Sequence, residues 1–498
     1  MGSIRKQTII SSFLVYLGFL IGALNMYFYT KHGIFTPAQF GLTRIFFDFG
    51  QIIYIFSSFG VIPVVYKFYP YYKDNLEEHQ IDMVTWAMLV SLIGFIFALL
   101  AGWYFEPLFV RKFSEKSKLI VDYYHLMFPF ALGMLLFSVL EGFSWAIGKS
   151  VITNFLKETV LRIITTIFIL LYYFKLISFK NFVYLFSTLY FLIFIILLIF
   201  LKRINKLHFT FTVSKVTRKF KKKMFKMQSY FFGGNIINSV SATIDGILIA
   251  GFQNLGAVGV FSLSQYAANL VTIPQRSIQN VSVSFLSRAW KDKNYSEISR
   301  IYSRSCINLL LLALFIFGNV WLNVQQGIHL LNLQKEYETG LLVILVIGFS
   351  RIIDAGTGVN GFVIGTSTFW RFDFTSGVIL LAFRLPLTWY LTKNFGIMGA
   401  AIAELISLSV YNAIRFEFIR RKFKMQPFTL KTLYSFILAI VSYCCCFYLL
   451  HQLQGWTGIF LRLVLFSGLM IVGILFFHLT PDATAMFDTL RNKLKRQD

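Results

Sequence analysis

About fourteen stretches of this chain are each long and apolar enough to cross a lipid bilayer as a helix, which takes about 20 predominantly apolar residues. Their cores lie near Ile9–Tyr29, Phe40–Tyr66, Val84–Tyr104, Leu119–Phe143, Val151–Phe174, Phe182–Leu201 and Ser229–Phe252. The rest lie near Val258–Leu286, Ile301–Leu322, Gly340–Thr366, Phe372–Leu391, Ile397–Phe418, Leu430–Leu450 and Gly458–Leu479. Within hydrocarbon every backbone polar group needs an internal partner, so apolar runs of this length become helices. The expected fold is all-α, a polytopic membrane protein of about fourteen spans. The short connections leave no room for a soluble catalytic domain, and the first run is too long for a signal-peptide core.

Only 14% of the 498 residues are charged, and the mean hydropathy is +0.67. The formal charge of +25 is concentrated in connecting segments, above all from Lys202 to Lys226, where Lys219, Lys221, Lys222 and Lys223 cluster. Basic loops stay in the cytoplasm during insertion and favour anionic lipid headgroups. This distribution makes anionic membrane lipids an expected partner and excludes nucleic acid. Arg5-Lys6 and Arg491, Lys493, Lys495 and Arg496 place both termini in the cytoplasm by the same rule.

Residues recur at a common offset. Gly41, Lys73 and Asp74 return 218 positions later as Gly259, Lys291 and Asp292, and Tyr172 and Lys175 return as Tyr390 and Lys393. The offset spans six helices, an even number, so the halves share one orientation, as in transporters built from parallel repeats. The expected organisation is a six-helix bundle over 1–201, a basic linker over 202–228, a second bundle over 229–424, and a helix pair with a basic tail over 425–498.

Ionisable residues inside the apolar runs are costly and mark polar pathways. Arg44, Arg276, Arg351 and Arg384 are candidates to line a cationic cavity, because guanidinium is a permanently charged donor suited to phosphate. Asp48, Glu141, Asp245 and Glu404 are candidates for ion coupling. Arg44 with Asp48 and Glu158 with Arg162 are spaced i,i+4, and Arg351 with Asp354 i,i+3, so each pair has the spacing to neutralise itself on one helix face. Glu141 and Arg462 also read as side chains that snorkel to an interface. Gly356, Gly358 and Gly361 interrupt the tenth run, as a hinge or as a close-packing surface, and Pro274 kinks the eighth. Gly18 and Gly22 have a packing spacing.

No nucleotide-binding lysine loop, metal-ligand spacing or disulfide framework is present, and Cys444-Cys445-Cys446 reads as packing. The expectation is a protein that is not an enzyme and uses no cofactor or metal.

Three motifs carry a family resemblance: Pro37-Ala38-Gln39-Phe40-Gly41-Leu42, its counterpart Gly256-Ala257-Val258-Gly259-Val260, and Phe395-Gly396-Ile397-Met398-Gly399-Ala400-Ala401. With the two halves and the extra pair, they resemble the polysaccharide-transport branch of the multidrug/oligosaccharidyl-lipid/polysaccharide (MOP) exporter superfamily, specifically Wzx-type flippases for O-antigen or capsule repeat units. The resemblance implies a flippase that moves undecaprenyl-pyrophosphate-linked oligosaccharide across the bacterial inner membrane by alternating access. It also implies a polysaccharide polymerase as partner. The alternatives within the superfamily are a multidrug or cation exporter and a peptidoglycan lipid II flippase, in which the last two helices form a lipid groove.

Overall fold

A computed structural model describes the backbone of residues 2–482, and their side chains apart from residues 2–13, 15, 16, 277 and 280. Arg5, Lys6 and the basic residues from 491 to 496 therefore lie outside the described side chains. Every regular element among the described residues is helical, as the apolar runs require. The chain packs as two compact units, 1–259 and 260–498. This is a division by packing, whereas the division at 202–228 is one of sequence repeat.

The first unit contains α1 (Gly2–Thr30), α2 (Pro37–Ser58), α3 (Val61–Lys73), α4 (Met83–Phe113), α5 (Lys118–Asp122) and α6 (Met127–Ala146). It continues with α7 (Ser150–Asn154), α8 (Leu161–Tyr173), α9 (Phe179–Ser187), α10 (Leu189–Arg203) and α11 (Lys215–Phe252). α12 (Leu255–Ala268) leads into the second unit, which holds α13 (Thr272–Lys291), α14 (Tyr295–Leu330), α15 (Leu341–Gly356), α16 (Asn360–Gly365), α17 (Trp370–Phe423), α18 (Leu430–Leu450) and α19 (Gly455–Phe476).

Nine helices among the described residues are long and apolar enough to span a membrane, or ten if the bent α2–α3 pair is one span. The difference from about fourteen has local causes. α2 and α3 meet at 47°, where Phe59 and Gly60 adopt left-handed backbone angles. The Val151–Phe174 run is divided by a π-helical turn at Phe155–Val160, and the Val258–Leu286 run by a 3-10 turn at Asn269–Val271. The Phe372–Leu391 and Ile397–Phe418 runs are two helices that follow one another within α17, meeting at a kink where Gly396 leaves helical geometry (φ 58°).

The glycine motifs have a concrete role. Thr36 caps α2 reciprocally with Gln39, and Pro37 fills the first helical position, so the helix begins sharply. One turn in, Gly41 lies against the carbonyl of Leu255 at the start of α12, and Gly259 lies against the carbonyl of Pro37. Leu255 and Pro37 are themselves 218 positions apart, so the contact is reciprocal under the sequence repeat. A side chain at either glycine would overlap backbone. Gly18 likewise faces the carbonyl of Glu158 and Gly22 the Arg162 side chain, so this pair serves packing of α1.

The basic stretch before α11 is anchored rather than loose. Ser214 caps the helix, and the fully buried Asp82 accepts from the Ser214 amide at 2.8 Å, from Thr217 at 2.8 Å and from the Trp86 indole at 3.1 Å. From Lys215 onward the lysines belong to a helix that packs on α2 and α3.

Candidate functional site: two polar clusters inside the units

In the second unit a polar ladder crosses three helical segments. α15 is its central rail, and Arg351 and Asp354 sit one turn apart on it. Arg351 donates to Glu404 of α17 at 2.5 Å and through Nε to Asn269 at 2.7 Å. Asp354 accepts from Gln275 of α13 at 2.8 Å and from Asn412 of α17 at 3.0 Å. The i,i+3 pair therefore does not neutralise itself. Each member is drawn to a neighbouring helix, because a fully buried carboxylate such as Glu404 needs a cation more than the partly exposed Asp354 does.

Asn412 extends the ladder, accepting from Thr357 at 3.0 Å and Asn360 at 2.9 Å. These two residues flank the interruption of the helix. α15 ends at Gly356, Gly358 adopts φ 66°, and α16 starts at Asn360. A side chain at Gly358 would meet Ser305 and Cys306, and one at Gly361 would meet the Arg415 guanidinium. The break thus combines a backbone that departs from the helix with a tight surround. At the break the Val359 backbone amide donates to the Ser305 hydroxyl at 3.3 Å, a side-chain partner of the kind that broken membrane helices require.

Arg384 of α17 is buried, and its charge acts on Glu404 together with that of Arg351. Arg276, beside Gln275 on α13, is exposed. Pro274 stands just inside the start of α13, after the 3-10 turn that carries Asn269. Arg351 and Arg384 thus share the one carboxylate of Glu404, while Asp354 is held by the neutral amides of Gln275 and Asn412.

In the first unit Arg44 and Asp48 do not form an ion pair. The Arg44 guanidinium lies 5.8 Å from the Phe47 ring centroid, and its Nε is buried without a hydrogen bond. Asp48 faces α11, where its carboxylate fills the space a side chain at Gly246 would need. The buried Asp245 is close enough to act on it electrostatically. Gln51 donates to Ser239 of α11 at 3.2 Å two turns away.

Glu141 is 5% exposed and paired with Lys157 at 3.3 Å, so it does not snorkel. Lys157 belongs to the π turn, whose widened backbone carries it toward α6. Glu158 and Arg162 do pair along their own helix at 2.8 Å. Arg462, the other residue read as snorkelling, is 6% exposed and donates to the carbonyls of Leu322, Leu450 and Leu453. Leu450 ends α18 and Leu453 lies in the connection after it, so their carbonyls stand outside the regular helical ladder and draw the guanidinium inward, while Leu322 lies within α14.

The amides Asn269, Gln275 and Asn412 and the cation Lys157 are partners that a search for charges within four residues does not find. A neutral polar residue in a membrane run is the available signal for the three amides. Among the described residues no three His, Cys, Asp or Glu side chains gather as metal ligands.

A family model described as "Polysaccharide biosynthesis protein" matches residues 4–287, more than half of the chain. The chain belongs to this family. Its fold is that of the MOP exporters. The lipid II flippase MurJ in an inward closed conformation aligns over 95% of this chain and 99% of its own, with TM-score 0.73 and 13% identity. A multidrug resistance MATE family transporter of the MOP superfamily, in an inward-facing conformation, aligns over 83% and 94%, with TM-score 0.62 and 12% identity. A MOP superfamily transporter from Pyrococcus furiosus, whose structure is described as having a binding pocket of reverse polarity, aligns over 84% and 96%, with TM-score 0.55 and 13% identity. A comparison with curated proteins finds no match. The fold is one that membrane transporters of the MOP superfamily adopt.

Proposed function

We propose that this member of the polysaccharide biosynthesis family is a flippase for undecaprenyl-pyrophosphate-linked oligosaccharide, an O-antigen, capsule or exopolysaccharide repeat unit. It works by alternating access in the bacterial inner membrane, with both termini in the cytoplasm. The observation that carries this reading is the pair of guanidinium groups, Arg351 and Arg384, gathered on one buried carboxylate in a chain of this family. Arg276, exposed beside Gln275 on α13, takes the pyrophosphate. Arg351 and Arg384 are committed to Glu404 and set the local potential. Arg44, with no carboxylate partner, is the corresponding contact in the first unit. Asp48 carries ion coupling, since Glu141 and Glu404 are already paired to Lys157 and Arg351. The break at Gly356, Gly358 and Gly361, with Pro274 on the adjoining helix, is the hinge. A polymerase then takes the flipped unit.

The test is accumulation of radiolabelled undecaprenyl-linked oligosaccharide on the cytoplasmic face after gene deletion, with plasmid rescue. Arg276→Glu should insert normally and fail to rescue. Normal surface polysaccharide in the deletion strain together with new drug sensitivity would replace this reading with a cation or drug exporter, which the acidic Asp48–Asp245 pair favours. Arrest of cell-wall synthesis would replace it with a lipid II flippase, which the near full-length likeness to that fold favours.

A further inference from the structure

At the ends of α14, α18 and α19 opposite Arg300 and Arg304, the second unit encloses a half-open cavity of about 500 Å³. Gln325, Gln326 and His329 of α14, His451 and Gln454 of the α18–α19 connection, and Arg462 of α19 supply its polar wall. No carboxylate lines it. Glu338 outside the wall lies 3.7 Å from Nδ1 of His329.

Arg462 is the unusual member. It is more than nine-tenths buried, and its three hydrogen bonds all go to neutral backbone carbonyls. Guanidinium has five N–H groups, so two remain beyond those three. Among the described residues no carboxylate pairs with it, and a buried cation without a counter-charge is strongly disfavoured in a membrane protein. Gln326 adds a second signal at the same wall. Its amide nitrogen donates to the Leu453 carbonyl at 3.1 Å, while its Oε1 is buried without a hydrogen bond. The wall therefore presents an excess of positive donors and one unsatisfied acceptor.

The surroundings locate this site at headgroup depth. Tyr448 and Trp456 stand exposed on the same hairpin, as aromatic side chains do at a membrane interface. Beyond them Ile437, Ile440 and Val441 of α18 and Leu461 and Val464 of α19 are exposed apolar side chains, a surface for acyl chains.

We infer that the cavity is a headgroup site for an anionic phospholipid bearing a free hydroxyl. The phosphate neutralises Arg462 with support from the His and Gln donors, the hydroxyl satisfies Gln326, and the chains lie along α18 and α19. The site is separate from the polar ladder, and its test reads binding, so it stands or falls independently of the transported substrate.

The experiment is native mass spectrometry of the purified full-length protein, titrated with dioleoyl-phosphatidylglycerol, with dioleoyl-phosphatidylcholine, and with glycerol 3-phosphate. The wild type should retain one phosphatidylglycerol at a concentration about tenfold lower than phosphatidylcholine, the scale of a charge-assisted contact. Arg462→Gln should abolish that preference. Because Arg462 also closes the helix ends, Gln326→Leu and His451→Phe serve as milder variants and should each reduce it several-fold. Equal retention of the two lipids by the wild type, or an unchanged preference in both milder variants, would overturn the assignment. Glycerol 3-phosphate bound as tightly as the lipid would overturn it in favour of a soluble anion.

Discussion

Glu404 should matter more to stability than Arg351, although the two form a single 2.5 Å ion pair. The Glu404 side chain is 3% exposed, and both Arg351 and Arg384 act on it. Glu404→Gln leaves two guanidinium groups without their counter-charge, and removing one partner of a buried pair costs about 3–5 kcal/mol. Arg351→Met leaves Glu404 with Arg384. It forfeits the 2.7 Å bond to Asn269 and one charge-assisted bond, about 1–3 kcal/mol. For a unit the size of 260–498, each kcal/mol moves the midpoint by roughly 2–4 °C. Glu404→Gln should therefore lower the melting point by roughly 6–20 °C, and Arg351→Met by clearly less. The double variant should be more stable than Glu404→Gln alone, because it removes one orphaned cation. The assay is size-exclusion chromatography in detergent after graded heating. A larger loss for Arg351→Met than for Glu404→Gln, or additive losses in the double variant, would refute the shared-counter-ion reasoning.

Three further outcomes follow from packing and capping. Gly41→Leu should disrupt the α2–α12 crossing at a cost of about 1–3 kcal/mol by overpacking. Gly468→Ala, with open space around it on α19, should instead stabilise the fold by about 0.5–1 kcal/mol and raise the melting point slightly. Asp82→Ala removes the acceptor for Ser214, Thr217 and Trp86, so limited proteolysis should cut residues 204–214 several-fold faster while the membrane helices remain intact. An unchanged cleavage rate would remove Asp82 as the anchor of that segment.

The sequence and the structure divide the explanation along a physical line. The helical class and the membrane setting were legible because they follow from local composition: apolar length needs no knowledge of neighbours. The start of α2 was legible for the same reason, since Thr36, Pro37 and Gln39 cap their own helix. Glu158 and Arg162 paired as spacing suggested, but Arg351 with Asp354 and Arg44 with Asp48 did not. Spacing states only which partners are near along one helix, and electrostatics selects among all helices packed around a charge. Arg351 found Glu404 fifty-three positions away, Glu141 found Lys157 on the π turn, and Arg462 turned inward to three backbone carbonyls. By itself the sequence determined that charges would be buried in a helical membrane protein. Only the tertiary structure decided which of them are spent on one another and which stay available, because in a low-dielectric interior that depends on distances between helices that no local pattern encodes.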